Sequence, residues 1–220
     1  MNALILYLLV LFLPIIATIG IEVTYGKYKK VSSNKDLTGF DVAKKILDNN
    51  GLDNIYIVET NGNLTDNYDS SRKVIHLSSD VYHGNSLASI AVAAHECGHA
   101  IQDKENYSWM RIRSAIYPVV SFGEKIAYIF LFIGLIIGSM GAIYASIIIT
   151  LLSLIFELVT LPVEFDASKR AYNLLISYNL INKDEESGVL SVLKAAAFTY
   201  VASALSSLFY ILYLLSDNRD

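Results

Sequence analysis

The 220-residue chain alternates between long uncharged apolar runs and polar stretches. Residues 1–21 contain no Asp, Glu, Lys or Arg, and neither do residues 126–156 or 195–216. Roughly 20 apolar residues in a helix cross the hydrocarbon of a bilayer, so each run predicts membrane-spanning structure. The first, over residues 3–21, has no basic segment before it, no clear A-x-A site, and an apolar stretch too long for a signal peptide. It reads as a retained anchor, and Pro14 is tolerated there because membrane helices accommodate proline. From 114 to 163 the charged residues are Glu124, Lys125 and Glu157. That length suits two spans turning near Gly138-Ser139-Met140-Gly141, although Glu124 and Lys125 crowd the start of the second span. A last span follows at 195–216.

The polar stretches predict regular elements of a different kind. Phe40, Ala43 and Leu47 share a helical face, with Gly51 as a stop. Residues 55–58 read as a strand, Asn61-Gly62-Asn63 as a turn, and residues 74–77 as a second short strand. Ser86 is a candidate N-cap for a helix over 87–102. The expected architecture is an α+β membrane protein, mainly α-helical. It combines about four transmembrane helices with a small domain holding a short β-sheet. The divisions are an anchor over 1–21, a domain over 22–118 and a transmembrane hairpin over 119–163. A cytoplasmic helical segment over 164–194 and a last span over 195–216 complete them.

Composition narrows this further. With 54% hydrophobic and 17% charged residues, the chain has the opposite balance from a disordered one. A soluble globule would have to carry the apolar excess on its surface. The net charge of −4 and the lack of a basic stripe exclude a nucleic-acid partner. The single cysteine, Cys97, makes no internal disulfide. Lys27, Lys29 and Lys30 follow the first span, so the positive-inside rule puts the N-terminus outside and the polar domain in the cytoplasm. The hairpin turn, free of Lys and Arg, is external on the same rule, and four spans return the C-terminus to the outside.

The chemistry lies in His95-Glu96-Cys97-Gly98-His99, an H-E-x-x-H pattern. On a helix, His95 and His99 share a face and can reach one ion. Neutral imidazoles suit zinc, and Glu96 beside the first ligand can accept a proton from the attacking water. A chance match arises in roughly one chain of this length in a few hundred. Here the preceding residues 87–94 are small and apolar, and burying two His and a Glu on such a helix is expensive without a partner. A catalytic zinc normally has three protein ligands. Candidates for the third are His76, His83, Asp103, Glu105, Glu157 and Glu164. Glu164 stands out because it sits where an apolar run meets the polar segment that follows.

The chain resembles the YugP-like membrane zinc metallopeptidases, grouped with the gluzincins. The similar stretches run in order over nearly the whole sequence. They are Thr38-Gly39-Phe40-Asp41-Val42-Ala43, Asp66-Asn67-Tyr68-Asp69, Leu77-Ser78, the stretch from Ser86 through Gln102, and Leu161-Pro162-Val163-Glu164 through Ala171. The resemblance implies a zincin-like core, one Zn2+ held by His95, His99 and Glu164, and Glu96 as general base and acid. Related HtpX-type gluzincins carry an Asp four residues after the ligand Glu, where this chain has Ser168. Asp166 or Asp103 is then a candidate to support a ligand histidine.

Other residues are weighed against plainer roles. His76, on the strand before the active-site helix, is a candidate for contacting substrate or oxyanion, against an ordinary exposed strand histidine. Arg170 and Tyr172 are oxyanion candidates, and Arg170 is equally placed to pair with Asp166 at i, i+4. Cys97 points away from the metal face and reads as a packed thiol. The resulting expectation is a membrane-embedded zinc endopeptidase, multi-pass in a bacterial cell membrane. Its site faces the cytoplasm and its substrates are membrane or membrane-proximal proteins. The rival reading is a non-proteolytic membrane scaffold or chaperone-like protein with a structural zinc. Such zinc sites are usually rich in thiolate, and this chain has one cysteine.

Overall fold

The computed structural model describes residues 3–217, apart from the side chains of 124, 125, 127, 128, 131, 135, 143, 146 and 217. Seven helices and three strands follow in the order α1 (Ala3–Tyr28), α2 (Gly39–Asn49), β1 (Tyr56–Thr60), β2 (Asn67–Asp69), β3 (Val74–Ser78), α3 (Ser79–Tyr82), α4 (Leu87–Lys104), α5 (Ser108–Ile137), α6 (Met140–Ser177) and α7 (Glu186–Asp217). They form two compact units interleaved in sequence. One consists of Met1–Thr18, Ser108–Pro162 and Thr199–Asp220, the other of Ile19–Tyr107 and Val163–Phe198. Helices α1, α6 and α7 contribute residues to both.

The second unit is the mixed α/β part. Its sheet has the order β1-β3-β2, with β1 parallel and β2 antiparallel to the central β3. Alternation along β3 buries Ile75 and Leu77 on one face, as a half-buried strand requires. Helix α2 opens with a capping box, in which Thr38 Oγ1 accepts from Asp41 N at 3.1 Å and Asp41 Oδ2 accepts from Thr38 N at 3.0 Å. It buries Val42, Ala43, Ile46 and Leu47. Helix α4, capped by Ser86 as its sequence suggests, is buried on nearly all sides. Its Ala88, Ala91, Ala93, Ala94 and Ala100 present so little side chain that α2, α3 and the sheet pack directly against it. Gly98 has a specific reason. A Cβ there would lie 2.6 Å from the Ala167 backbone oxygen of α6, so only glycine admits this helix crossing.

The sequence reading placed α2, β1, β3 and α4 within a few residues. It missed β2, three residues long, and α3, a single turn. Neither is long enough to display a period.

The first unit is helical throughout. Leu154, Ala204 and Ile211 form a small buried cluster with Leu161 against it. Ser206 Oγ donates to Val10 O at 2.9 Å, and the rings of Tyr7 and Tyr213 lie 5.9 Å apart. Many large apolar side chains remain exposed, among them Leu4, Ile16, Phe122, Ile136 and Ile148, which suits a surface solvated by lipid. Among the described residues three helices, α1, α6 and α7, are long and apolar enough to cross a membrane. The second expected span falls within α5, where the side chains of Glu124 and Lys125 lie outside the described residues. The expected turn is present between α5 and α6, with Gly138 at φ +70°.

Candidate metal centre

All groups of the candidate centre belong to the mixed unit. Helix α4 supplies His95 and His99 one turn apart, and their rings meet edge to face at 4.7 Å. Helix α6, held close by the Gly98–Ala167 crossing, supplies Glu164. Its Oε2 lies 3.3 Å from His95 Nε2 and 3.5 Å from His99 Nε2. Among the described residues these three side chains form the cluster of metal-ligating groups whose donor atoms all lie within 4.8 Å of one another.

Those separations test whether the residues fit a zinc ion. Two zinc–ligand bonds of about 2.0–2.1 Å at the tetrahedral angle put their donor atoms about 3.3–3.4 Å apart. Both observed contacts are close to that value and longer than the usual N–H···O mode of about 2.9 Å. The donor set of two imidazole nitrogens and a carboxylate oxygen also suits zinc. The residues fit.

The other ring nitrogen of each histidine is engaged. His95 Nδ1 lies 3.2 Å from Ser168 Oγ, and His99 Nδ1 lies 3.0 Å from Gln102 Oε1. With Nδ1–H donating to those oxygens, both rings present Nε2 toward Glu164. Gln102 is fully buried and shared among several partners. Its Nε2 donates to Val163 O at 2.8 Å and to Asp166 Oδ2 at 2.9 Å. Asp166 also accepts from Arg170 Nε at 2.5 Å, and Arg170 reaches Glu105 at 2.7 Å. A chain of contacts therefore runs from His99 through Gln102 and Asp166 to Arg170.

Glu96 is buried beside the two histidines, with only 6% of its surface exposed. Burial pushes its carboxyl above the usual carboxylate range, with partial opposition from His95 and His99. For His99, burial opposes the charged form, but hydrogen bonding to Glu164 and its negative charge outweigh that, and the net direction is upward. Cys97 lies on the opposite face. Its Sγ donates to Ala43 O at 3.7 Å, and burial pushes the thiol well above its ordinary value.

The remaining residues singled out in the sequence are placed elsewhere. His76 sits in β3, paired by backbone to Val58 of β1 and Asn67 of β2. A strand flanked on both sides has no free edge there, so an extended peptide would have to add at β1 or β2 instead. Arg170 is taken up by Asp166 and Glu105, in the i, i+4 arrangement weighed above. Tyr172 donates to Glu186 Oε2 at 2.9 Å. Asp103 accepts from Tyr68 Oη at 2.8 Å and pairs with Lys73, so it braces the sheet rather than the histidines. His83 pairs with Glu59 at 3.3 Å. Of the two aspartates considered as supports, Asp166 reaches a histidine, through Gln102.

Sequence reasoning missed Ser168 and Gln102 as histidine partners. Both carried a signal. Gln102 follows His99 by three residues on one helix, and Ser168 occupies the position where related enzymes carry the supporting Asp.

Over residues 3–218 the chain matches the family described as "Putative neutral zinc metallopeptidase". It is 43% identical over 196 residues to the "Putative membrane protease YugP" of Bacillus subtilis (strain 168), covering 89% of this chain and 87% of that protein. No solved structure matches it significantly. From a match that extends over almost the entire chain it follows that this protein belongs to the family described as "Putative neutral zinc metallopeptidase".

Proposed function

We propose that the chain is a membrane-embedded, zinc-dependent endopeptidase of the gluzincin type. The observation that carries this reading is the meeting of Glu164 Oε2 with His95 Nε2 at 3.3 Å and His99 Nε2 at 3.5 Å, with Glu96 buried beside them. One zinc ion held by those three side chains would act as a Lewis acid on the scissile carbonyl and activate the attacking water. The protein's own groups do the rest. Ser168 and Gln102 hold the imidazoles in the tautomer that leaves Nε2 for the metal. Glu96 takes a proton from the attacking water and delivers it to the leaving amine nitrogen. The buried setting that raises its carboxyl pKa brings it nearer to the value of an effective base at neutral pH. Lys27, Lys29 and Lys30 support a cytoplasmic site. The entry of α6 into the mixed unit next to its apolar run supports membrane or membrane-proximal protein substrates.

The test is Glu96→Gln. The variant is expected to retain about one zinc per chain by elemental analysis while losing proteolysis of membrane proteins, read by comparing membrane proteomes with and without it. Undiminished cleavage would overturn the mechanism.

A further inference from the structure

Glu157 is not used by the peptidase reading. It lies on α6 in the apolar unit, and its two carboxylate oxygens have unequal surroundings. Oε1 accepts a hydrogen bond from Ser203 Oγ of α7 at 2.6 Å. Oε2 is shielded from solvent and has no hydrogen-bond partner, the one side-chain atom in that state among the described residues. A carboxylate oxygen held this way is costly unless something donates to it.

Beside it is a cavity of about 210 Å3 lined by Arg113, Phe156, Glu157, Thr160, Tyr200 and Ser203. That exceeds the roughly 10–15 Å3 that one water requires on the same measure. Three helices, α5, α6 and α7, contribute to the lining. The cavity wall thus carries one cation, one anion and several hydroxyls. A simple anion would meet Glu157, and a simple cation would meet Arg113. A zwitterion satisfies both. Arg113 has an interaction of its own, but a guanidinium offers five N–H donors and can serve a second acceptor.

The depth of the cavity follows from the sequence around it. Arg113 is preceded on α5 by Trp109 and Arg111, and tryptophan, tyrosine and arginine together at the start of an apolar helix mark the headgroup level of a bilayer. Tyr200 marks the same level on α7. The ligand available at that depth in abundance is a phospholipid headgroup.

We infer that this cavity binds the headgroup of a zwitterionic phospholipid bearing a primary ammonium, with the ammonium donating to the Glu157 carboxylate and the phosphate facing Arg113. None of the cavity residues belongs to the candidate zinc cluster, and the inference does not depend on proteolysis.

The experiment uses the full-length protein in nanodiscs with equal parts phosphatidylethanolamine, phosphatidylcholine and phosphatidylglycerol, and native mass spectrometry of the lipid retained on release. The wild-type protein should retain phosphatidylethanolamine about ten-fold over each of the others, a ratio corresponding to about 1.4 kcal/mol. Phosphatidylcholine carries charge without an N–H donor, so equal retention of it would overturn the hydrogen bond to Glu157. Equal retention of phosphatidylglycerol would overturn the zwitterion requirement. Glu157→Gln should bring the three lipids to near parity with zinc content unchanged, and an intact preference in that variant would also overturn the assignment. If Glu157→Gln does not fold, the wild-type comparison among the three lipids decides by itself.

Discussion

The two clustered histidines are oriented by neutral groups, Ser168 for His95 and Gln102 for His99. Partners of this kind fix tautomer and ring direction, and their loss typically weakens metal binding about 10–100-fold. Ser168→Ala is therefore expected to weaken zinc binding by about that factor, measured by competition with a chromogenic chelator. An unchanged affinity would assign Ser168 to packing alone. Glu164→Ala removes a donor outright and should abolish stable zinc binding in the same assay. Cys97 tests the burial of the opposite face. A thiol whose pKa is raised by burial holds less thiolate at any given pH. Folded protein at pH 8 should stay unalkylated by iodoacetamide, and unfolded protein should react, with mass spectrometry as the readout. At this scale His95, Glu96 and His99 were legible because their spacing is local to one helix. Ser168 was not assigned, because its hydroxyl becomes a partner of His95 only when α6 meets α4, whereas the Gln102 signal was local to α4 and was overlooked.

Helix α4 can bring its histidines to Glu164 because its surface is nearly bare of side chains where α6 crosses. Gly98→Ala would place a methyl 2.6 Å from the Ala167 carbonyl oxygen, and the backbone cannot swing aside as a side chain would. Overpacking of this sort typically costs about 1–3 kcal/mol. The variant is expected to melt at a lower temperature and to bind zinc more weakly, since separating the helices also separates the donors. Preserved zinc affinity with lowered stability would mean the crossing supports the fold without setting the site. The α2 capping box offers a control remote from the metal. Thr38→Ala should cost about 1 kcal/mol and leave zinc affinity unchanged. The capping box and the Ser86 cap could be read directly, since both rest on residues a few positions apart. The central position of β3 could not. Its neighbours β1 and β2 both precede it in the chain, and strand order depends on which surface each covers. That order leaves no free strand edge beside His76.

The two compact units are not consecutive segments. Each gathers pieces of chain separated by long excursions through the other, and His95 and Glu164 are 69 residues apart. A fragment comprising residues 22–118 would contain the H-E-x-x-H helix but lack Glu164, Ser168, Asp166 and the α7 segment that helps close the core. It is expected to bind no zinc and the full chain to bind about one per chain, and elemental analysis of both would show it. On the proposed topology, tags at the two termini should be accessible from outside the cell, and accessibility only from the cytoplasm would reverse the orientation. The sequence by itself determined the apolar runs, the helix that carries H-E-x-x-H and the neighbourhood of Glu164. These depend on composition and on spacing within one element, which the chain carries locally. The tertiary structure decided that Glu164 meets the histidines, that Gln102 and Ser168 orient them, and that Arg170, Tyr172 and Asp103 are engaged elsewhere. The contacts of Glu164 and Ser168 with the histidines rest on how closely two distant helices approach. Here that approach is set by the missing side chain at Gly98, whose effect appears only once α6 is packed against it.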